Sequence, residues 1–212
     1  LGWYGKMQLV PFAEYMPFTQ YPLVAKFFDA LVGFSRGWIP GAEYKTFPVT
    51  TADGQTVRFA APICFEDAFP GQAAKLHNAG SDILINLTND AWSKTDSAEY
   101  QHFTIASFRT IELRTTLIRS TNGGYSTVID PLGRVIEDLP LFTEASVNAA
   151  VPVYPFTMTF YARFGDWFPL LASLVLLDAA LASCPEGFVV VADAQNAGRG
   201  TGGKDWDSVP GG

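Results

Sequence analysis

Five short runs of β-branched and aliphatic residues, at 57–63, 83–87, 117–120, 125–130 and 147–153, are spaced along the first three-quarters of the chain. Each has the length of a strand packed in a sheet. Helices are expected over 21–34, 71–79 and 97–114, in the gaps between the runs and ahead of them. In the last, Phe103, Ala106, Ile111 and Leu113 suggest an apolar stripe, with Glu99, Arg109 and Arg114 elsewhere on the helix. Ala52-Asp53-Gly54-Gln55 and Pro131-Leu132-Gly133-Arg134 carry hairpin-turn chemistry. Strands alternating with helices, and joined locally by hairpins, predict a mixed α/β sheet covered by helices.

The pattern changes at Pro155. Residues 167–182 are apolar except for Ser173 and Asp178. Crossing a bilayer takes about 20 apolar residues, so this run reads as a clipped membrane span or a buried helix. After it come a strand at 187–192 and a glycine-rich loop. The chain does not begin with Met and ends on turn residues, Pro210-Gly211-Gly212, which reads as a fragment of something longer. The net charge of −7 argues against a nucleic-acid partner, because phosphate binding needs a basic face. The two cysteines, Cys64 and Cys184, lack metal-ligand spacing, so neither a metal nor a cofactor is expected. A disulfide between them stays open, though nothing asks for one.

The chemistry concentrates around Cys64, in Ala61-Pro62-Ile63-Cys64-Phe65-Glu66-Asp67. A lone cysteine ending an apolar strand is more often a buried small residue than a nucleophile. The adjacent carboxylates oppose a thiolate, so thiolate chemistry needs a cation nearby, and Lys6 is a candidate. A lysine or glutamate such as Lys6 or Glu14 is more commonly a solvated surface charge. The tract Ile85-Asn86-Leu87-Thr88-Asn89-Asp90-Ala91-Trp92 puts amides, a carboxylate and an indole at a strand end, where sites are commonly built; an ordinary turn is equally compatible. His77 and His102 have no partner spacing and read as structural or exposed. Thr121-Asn122-Gly123-Gly124-Tyr125 reads as a tight turn. In the tail, Gly198-Arg199-Gly200 belongs to a donor-rich loop of a kind that cradles phosphates and that flexible linkers share.

Taken in order, Lys6 with Leu9-Val10-Pro11-Phe12-Ala13-Glu14-Tyr15, Ile63-Cys64-Phe65-Glu66, Asn89-Asp90-Ala91-Trp92, Gln101-His102, Arg119-Ser120-Thr121-Asn122-Gly123-Gly124 and Phe160-Tyr161-Ala162-Arg163-Phe164-Gly165-Asp166-Trp167 resemble the carboxy-terminal half of bacterial apolipoprotein N-acyltransferases. The resemblance covers residues 1 to about 177. It implies a nitrilase-like αββα sandwich, incomplete at its N-terminal end, over 1–154, then the approach to a membrane helix and part of that helix over 155–182. It implies a Glu-Lys-Cys centre with Cys64 as nucleophile and Lys6 as oxyanion stabiliser. Glu14, Glu66, Phe65, Asn89 and Trp92 would line the site, Phe65 standing where many members have Tyr. The family's third residue, a glutamate, lies upstream of the lysine on a segment this chain lacks, so the fragment alone is expected to be inactive.

The activity so implied is transfer of an acyl chain from a phospholipid, through a cysteine thioester, to the N-terminal amine of a diacylglyceryl-cysteine lipoprotein. It would take place at the bacterial inner membrane, with the catalytic domain on the outer, periplasmic face. Two alternatives stand beside it: a soluble carbon–nitrogen hydrolase of the amidase or nitrilase type, and a non-catalytic remnant. Residues 183–212 carry a second resemblance, to the start of a biotin–protein ligase catalytic domain. There Gly198-Arg199-Gly200 matches the loop that closes over biotin and its adenylate, while Thr201-Gly202 and Lys204 depart from the usual arginine-rich version.

Overall fold

The structure, a computed structural model, describes residues 2–33 and 37–183. Its centre is a six-stranded mixed sheet whose spatial order follows chain order: β1 (Phe47–Thr50), β2 (Thr56–Ala60), β3 (Ile83–Asn89), β4 (Thr116–Asn122), β5 (Thr127–Ile129) and β6 (Val135–Asp138). The strands β2, β3 and β4 run parallel, and the outer pairs are antiparallel hairpins. Both hairpin turns lie where their residue chemistry puts them, with Gly54 at φ +83° and Gly133 at φ +80° supplying the left-handed positions.

Parallel neighbours need crossover connections. These are α2 (Pro70–Asn78), between β2 and β3, and α3 (Asp96–Leu113), between β3 and β4. Pro70 starts α2 at the position where a missing N–H costs nothing. Asp96 and Glu99 lie in the first turn of α3, where the helix dipole favours negative charge. Ahead of the sheet, α1 (Pro22–Val32) ends on Gly33 in the left-handed conformation.

The core follows from register. Ala60, Leu84, Leu117 and Ile129 are paired in turn across four strands and all are fully buried. On that face they meet Ala73 and Leu76 of α2, Ala106 and Leu113 of α3, and Ala162 of the short α4 (Phe160–Phe164). Two residues further along, on the same face by the period of a strand, lies a second paired row, Asn86, Arg119 and Thr127. It too is buried, but it is polar.

Three expectations need correction. Residues 147–153 form no strand: Thr116 hydroxyl donates to the Pro152 carbonyl, but Pro152 and Pro155 have no N–H for a ladder. In α3, Glu99 and Arg109 are buried while Ile111 is exposed, so the inward face is largely polar. The helix packs on the polar row as well as on the apolar one. Strand β2 stops at Ala60, because Pro62 two residues later cannot extend a ladder.

The compact unit continues to Gly165. Asn78 donates to the Ala162 carbonyl, and Thr159 hydroxyl donates to that of Glu112. The remaining described segment, α5 (Trp167–Ser183), is apolar around its circumference, with Leu170, Leu174, Val175 and Leu176 all exposed. Among the described residues no helix is long and apolar enough to cross a membrane. Cys184, the strand expected at 187–192 and the loop with Gly198, Arg199 and Gly200 lie outside the described residues.

Candidate active site

The three parallel strands all deliver chain to the same edge of the sheet, where crevices form at carboxyl ends. Past β2 comes Cys64, past β3 the segment Asp90 to Trp92, and past β4 the turn at Gly123-Gly124. Cys64 opens a 3-10 helix, Cys64–Ala68, at φ +55°. A side chain in the left-handed region costs about 1–2 kcal/mol, and neighbours hold it there. Asn86 Nδ2 donates to the Pro62 carbonyl at 3.2 Å and to the Cys64 carbonyl at 2.8 Å. Leu87 N–H also donates to the Pro62 carbonyl. The result is a sharp strand-to-helix turn with a free, partly exposed thiol at its tip.

Glu66 joins this turn to the lysine segment. Its carboxylate is fully buried and accepts from Met7 N–H at 2.6 Å, Gln8 N–H at 3.0 Å, Ile63 N–H at 2.8 Å and the Tyr4 hydroxyl at 3.2 Å. Burial and the Glu66 charge hold the Tyr4 phenol above its ordinary range, so it remains a donor. Expected to line the site, Glu66 instead sits behind its wall. A carboxylate that takes four donors has nothing left for a substrate.

Lys6 comes out of this joint into the cavity that Cys64 also lines. Its ammonium pairs with both oxygens of Glu14 at 2.7 Å, and Val10 N–H donates to the same carboxylate at 2.8 Å. Lys6 and Glu14 are therefore partners, not two solvated surface charges.

Cys64, Lys6, Glu14, Phe65, Asn89 and Trp92 line one cavity of about 1530 Å³, with Leu9, Val10, Ile39, Ile63 and Leu87 giving it an apolar wall. Trp92 is 77% exposed and Ile39 93% exposed, so the rim presents large apolar side chains to its surroundings. Among the described residues no group of His, Cys, Asp and Glu could hold a metal ion.

Sequence reasoning missed the ground beneath this cavity. His102 bridges Asp67 at 2.8 Å and Asp90 at 3.0 Å, and Arg119 lies 3.3 Å and 3.5 Å from the same two carboxylates. Gly124 packs against this cluster: a Cβ there would stand 2.7 Å from Glu99 Oε2 and 2.8 Å from Asp90 Oδ2. Thr121 and Asn122, read as part of a tight turn, belong to β4, and the turn at Gly123-Gly124 is shaped by its packing on this cluster. His77, by contrast, is buried on α2 and bonded to the Thr157 carbonyl, 80 residues further along the chain. The signal that could have found the cluster is a polar residue at an inward position of an apolar strand, as with Asn86 and Arg119.

The family model described as carbon-nitrogen hydrolase matches residues 1–154, the sheet and the whole of this cavity wall. The chain belongs to the carbon–nitrogen hydrolase family. Its mixed sheet and helices are the nitrilase-like fold of that family, of which the described residues form one sheet with its helical layer.

Within this carbon–nitrogen hydrolase family the chain is similar to Apolipoprotein N-acyltransferase 2 of Treponema denticola, 62% identical over 174 residues, which covers 82% of this chain and 33% of that protein. Apolipoprotein N-acyltransferase 2 of Treponema pallidum is 54% identical over 172 residues, covering 81% and 31%. The chain therefore spans about a third of the length of these curated relatives. Among solved structures, an amidase from Nesterenkonia sp. AN1 aligns over 65% of this chain and 47% of its own, at 16% identity and a TM-score of 0.44.

Proposed function

We propose that this chain carries the nucleophile of an apolipoprotein N-acyltransferase, an enzyme that moves an acyl chain from a phospholipid to the N-terminal amine of a diacylglyceryl-cysteine lipoprotein. The observation that carries the reading is the shared cavity. It brings a strained, accessible thiol and a paired lysine together under a wide apolar wall, room that a small amide does not need. The names of the T. denticola and T. pallidum relatives support the same substrates.

In this mechanism Cys64 loses its proton to a carboxylate base and attacks the ester carbonyl. Glu14 is held by Lys6 and Val10, and Glu66 by four donors. Both are engaged elsewhere, and the resemblance to the acyltransferases implies that the base is a glutamate on a segment ahead of Lys6. Lys6 stabilises the tetrahedral oxyanion. Collapse expels the lysophospholipid alcohol, which takes up the proton, and leaves an acyl thioester on Cys64. The lipoprotein α-amine then attacks the thioester, forms the amide and returns the thiol. The apolar rim and the exposed apolar α5 fit work at a membrane, and the outer face of the bacterial inner membrane is the proposed location.

The test is acyl transfer from phospholipid vesicles to a diacylated lipopeptide by the full-length protein containing this chain. Transfer in the wild type and its loss in Cys64→Ala is the expected result. Full transfer by Cys64→Ala overturns the proposal, and hydrolysis of small amides without transfer replaces it with an amidase.

A further inference from the structure

Four ionisable side chains from four different elements meet beneath the cavity, almost without exposure. Asp67 is 0% exposed, Arg119 2%, Asp90 4% and His102 6%. Asp67 belongs to the 3-10 helix that Cys64 opens, Asp90 to the loop after β3, His102 to α3 and Arg119 to β4. The imidazole uses both nitrogens on carboxylates, Nε2 to Asp67 Oδ1 at 2.8 Å and Nδ1 to Asp90 Oδ2 at 3.0 Å. An ionised carboxylate only accepts, and a neutral imidazole has a single N–H, so a ring that serves both must carry two protons. Arg119 lies 3.3 Å from Asp67 Oδ2 and 3.5 Å from Asp90 Oδ2. Two anions then face two cations, the balance that a buried group of charges requires.

The arrangement joins two pieces of the cavity wall that the backbone leaves separate. Asp67 lies three residues past Cys64 in the same 3-10 helix, and Asp90 lies between Asn89 and Trp92. We propose that His102 is a positioning residue: as an imidazolium it ties the turn bearing Cys64 to the loop bearing Asn89 and Trp92, and so sets where the thiol stands in the cavity. The proposal rests on Cys64 being the nucleophile, not on the identity of the acyl donor.

The electrostatics agree. Burial works against the charged ring, but the hydrogen bonds to Asp67 and Asp90 outweigh it, and the His102 pKa is raised. The groups facing the ring are Asp67 and the Phe65 ring from the turn, Asp90 from the loop and Arg119 from β4, and of these Arg119 opposes the charge. On its own helix, Glu99 is engaged one turn away with the Ser93 hydroxyl. Loss of the ring proton sets a nitrogen lone pair against a carboxylate oxygen, and the two wall pieces part.

The experiment measures alkylation of Cys64 by iodoacetamide in the full-length protein, followed on the Cys64 peptide by mass spectrometry from pH 6 to pH 10. The wild-type rate is expected to rise with thiolate and then break on the alkaline side as His102 deprotonates. Asp90→Asn removes one of the two anions that hold the proton, and moves that break down by about one pH unit. His102→Gln abolishes it. A purely structural histidine moves no break, and Asp90→Asn still decides the matter should His102→Gln fail to fold. Profiles with the same alkaline limb in wild type and Asp90→Asn, or with no break in the wild type, overturn the proposal. Alkylation needs no acyl substrate, so a protein that fails to transfer acyl chains still tests this clasp.

Discussion

Replacing Glu66 by Gln changes one oxygen into an NH2 group and should loosen the joint between the lysine segment and the nucleophile turn. Oε1 accepts from both Met7 N–H and Gln8 N–H, so the amide oxygen will keep that side. The NH2 group then faces Ile63 N–H, which donates to Oε2 at 2.8 Å in the native site. Tyr4 can rotate its hydroxyl to accept, but a backbone N–H cannot. One charge-assisted bond is lost, worth about 1.5–3 kcal/mol, and the two that survive fall to the strength of neutral bonds. The total is about 3–5 kcal/mol for opening this joint. Hydrogen exchange followed by mass spectrometry reads it directly, since local opening sets amide exchange. Peptides covering 4–10 and 61–66 should exchange about a hundredfold faster or more, at 1.36 kcal/mol per tenfold, while 106–113 in α3 stays as it was. A change below threefold in the first two peptides would refute the role given to Glu66.

Lys6→Ala should lower the single-turnover rate of Cys64 acylation by about 10²–10³, the effect of removing one oxyanion donor, and a rate within threefold of wild type would dismiss Lys6 as that donor. Gly124→Ala places a methyl group 2.7 Å from Glu99 Oε2 and 2.8 Å from Asp90 Oδ2. It should cost about 1–3 kcal/mol by overpacking, seen as a lower denaturation midpoint. The pH dependence has a sign on each side. His102 has a raised pKa, so its contribution is full below about 6.5 and is lost as pH climbs through the folded value. Asp90 and His77 have lowered values, Asp90 because His102, Thr88 and Arg119 overcome its burial and His77 because burial disfavours its charge. Their contributions are present above about 3.9 and 6.5 respectively and fade on acidification. Stability measured by chemical denaturation should therefore fall on both sides of a neutral maximum.

Much of this was legible in the chain, and the reasons are local. Runs such as 83–87 and 117–120, with Gly54 and Gly133 in their turns, carry strand period and turn chemistry in a few residues each. Cys64 and Lys6 stood out because each sits beside an apolar run. The contact between Lys6 and Glu14 spans only eight residues. What could not be read depends on pairing across the sheet. Asp67 and His102 are 35 residues apart, and only the register of β3 on β4 puts Asn86 beside Arg119 beneath Cys64. Polar partners also inverted the reading of α3, where buried Glu99 engages Ser93 and buried Arg109 reaches the Ala68 carbonyl and Glu112. Residues 147–153 misled in the other direction, for their composition suits a strand while Pro152 and Pro155 deny it a ladder.

The most direct test of the central claim is to trap the intermediate. The full-length protein would be mixed with phospholipid, without lipopeptide, quenched and digested, and the Cys64 peptide weighed. The account predicts an acyl mass on Cys64 that hydroxylamine removes and that an added diacylated lipopeptide takes over on its α-amine. An unmodified Cys64 peptide, from a protein that nevertheless acylates the lipopeptide, would contradict it.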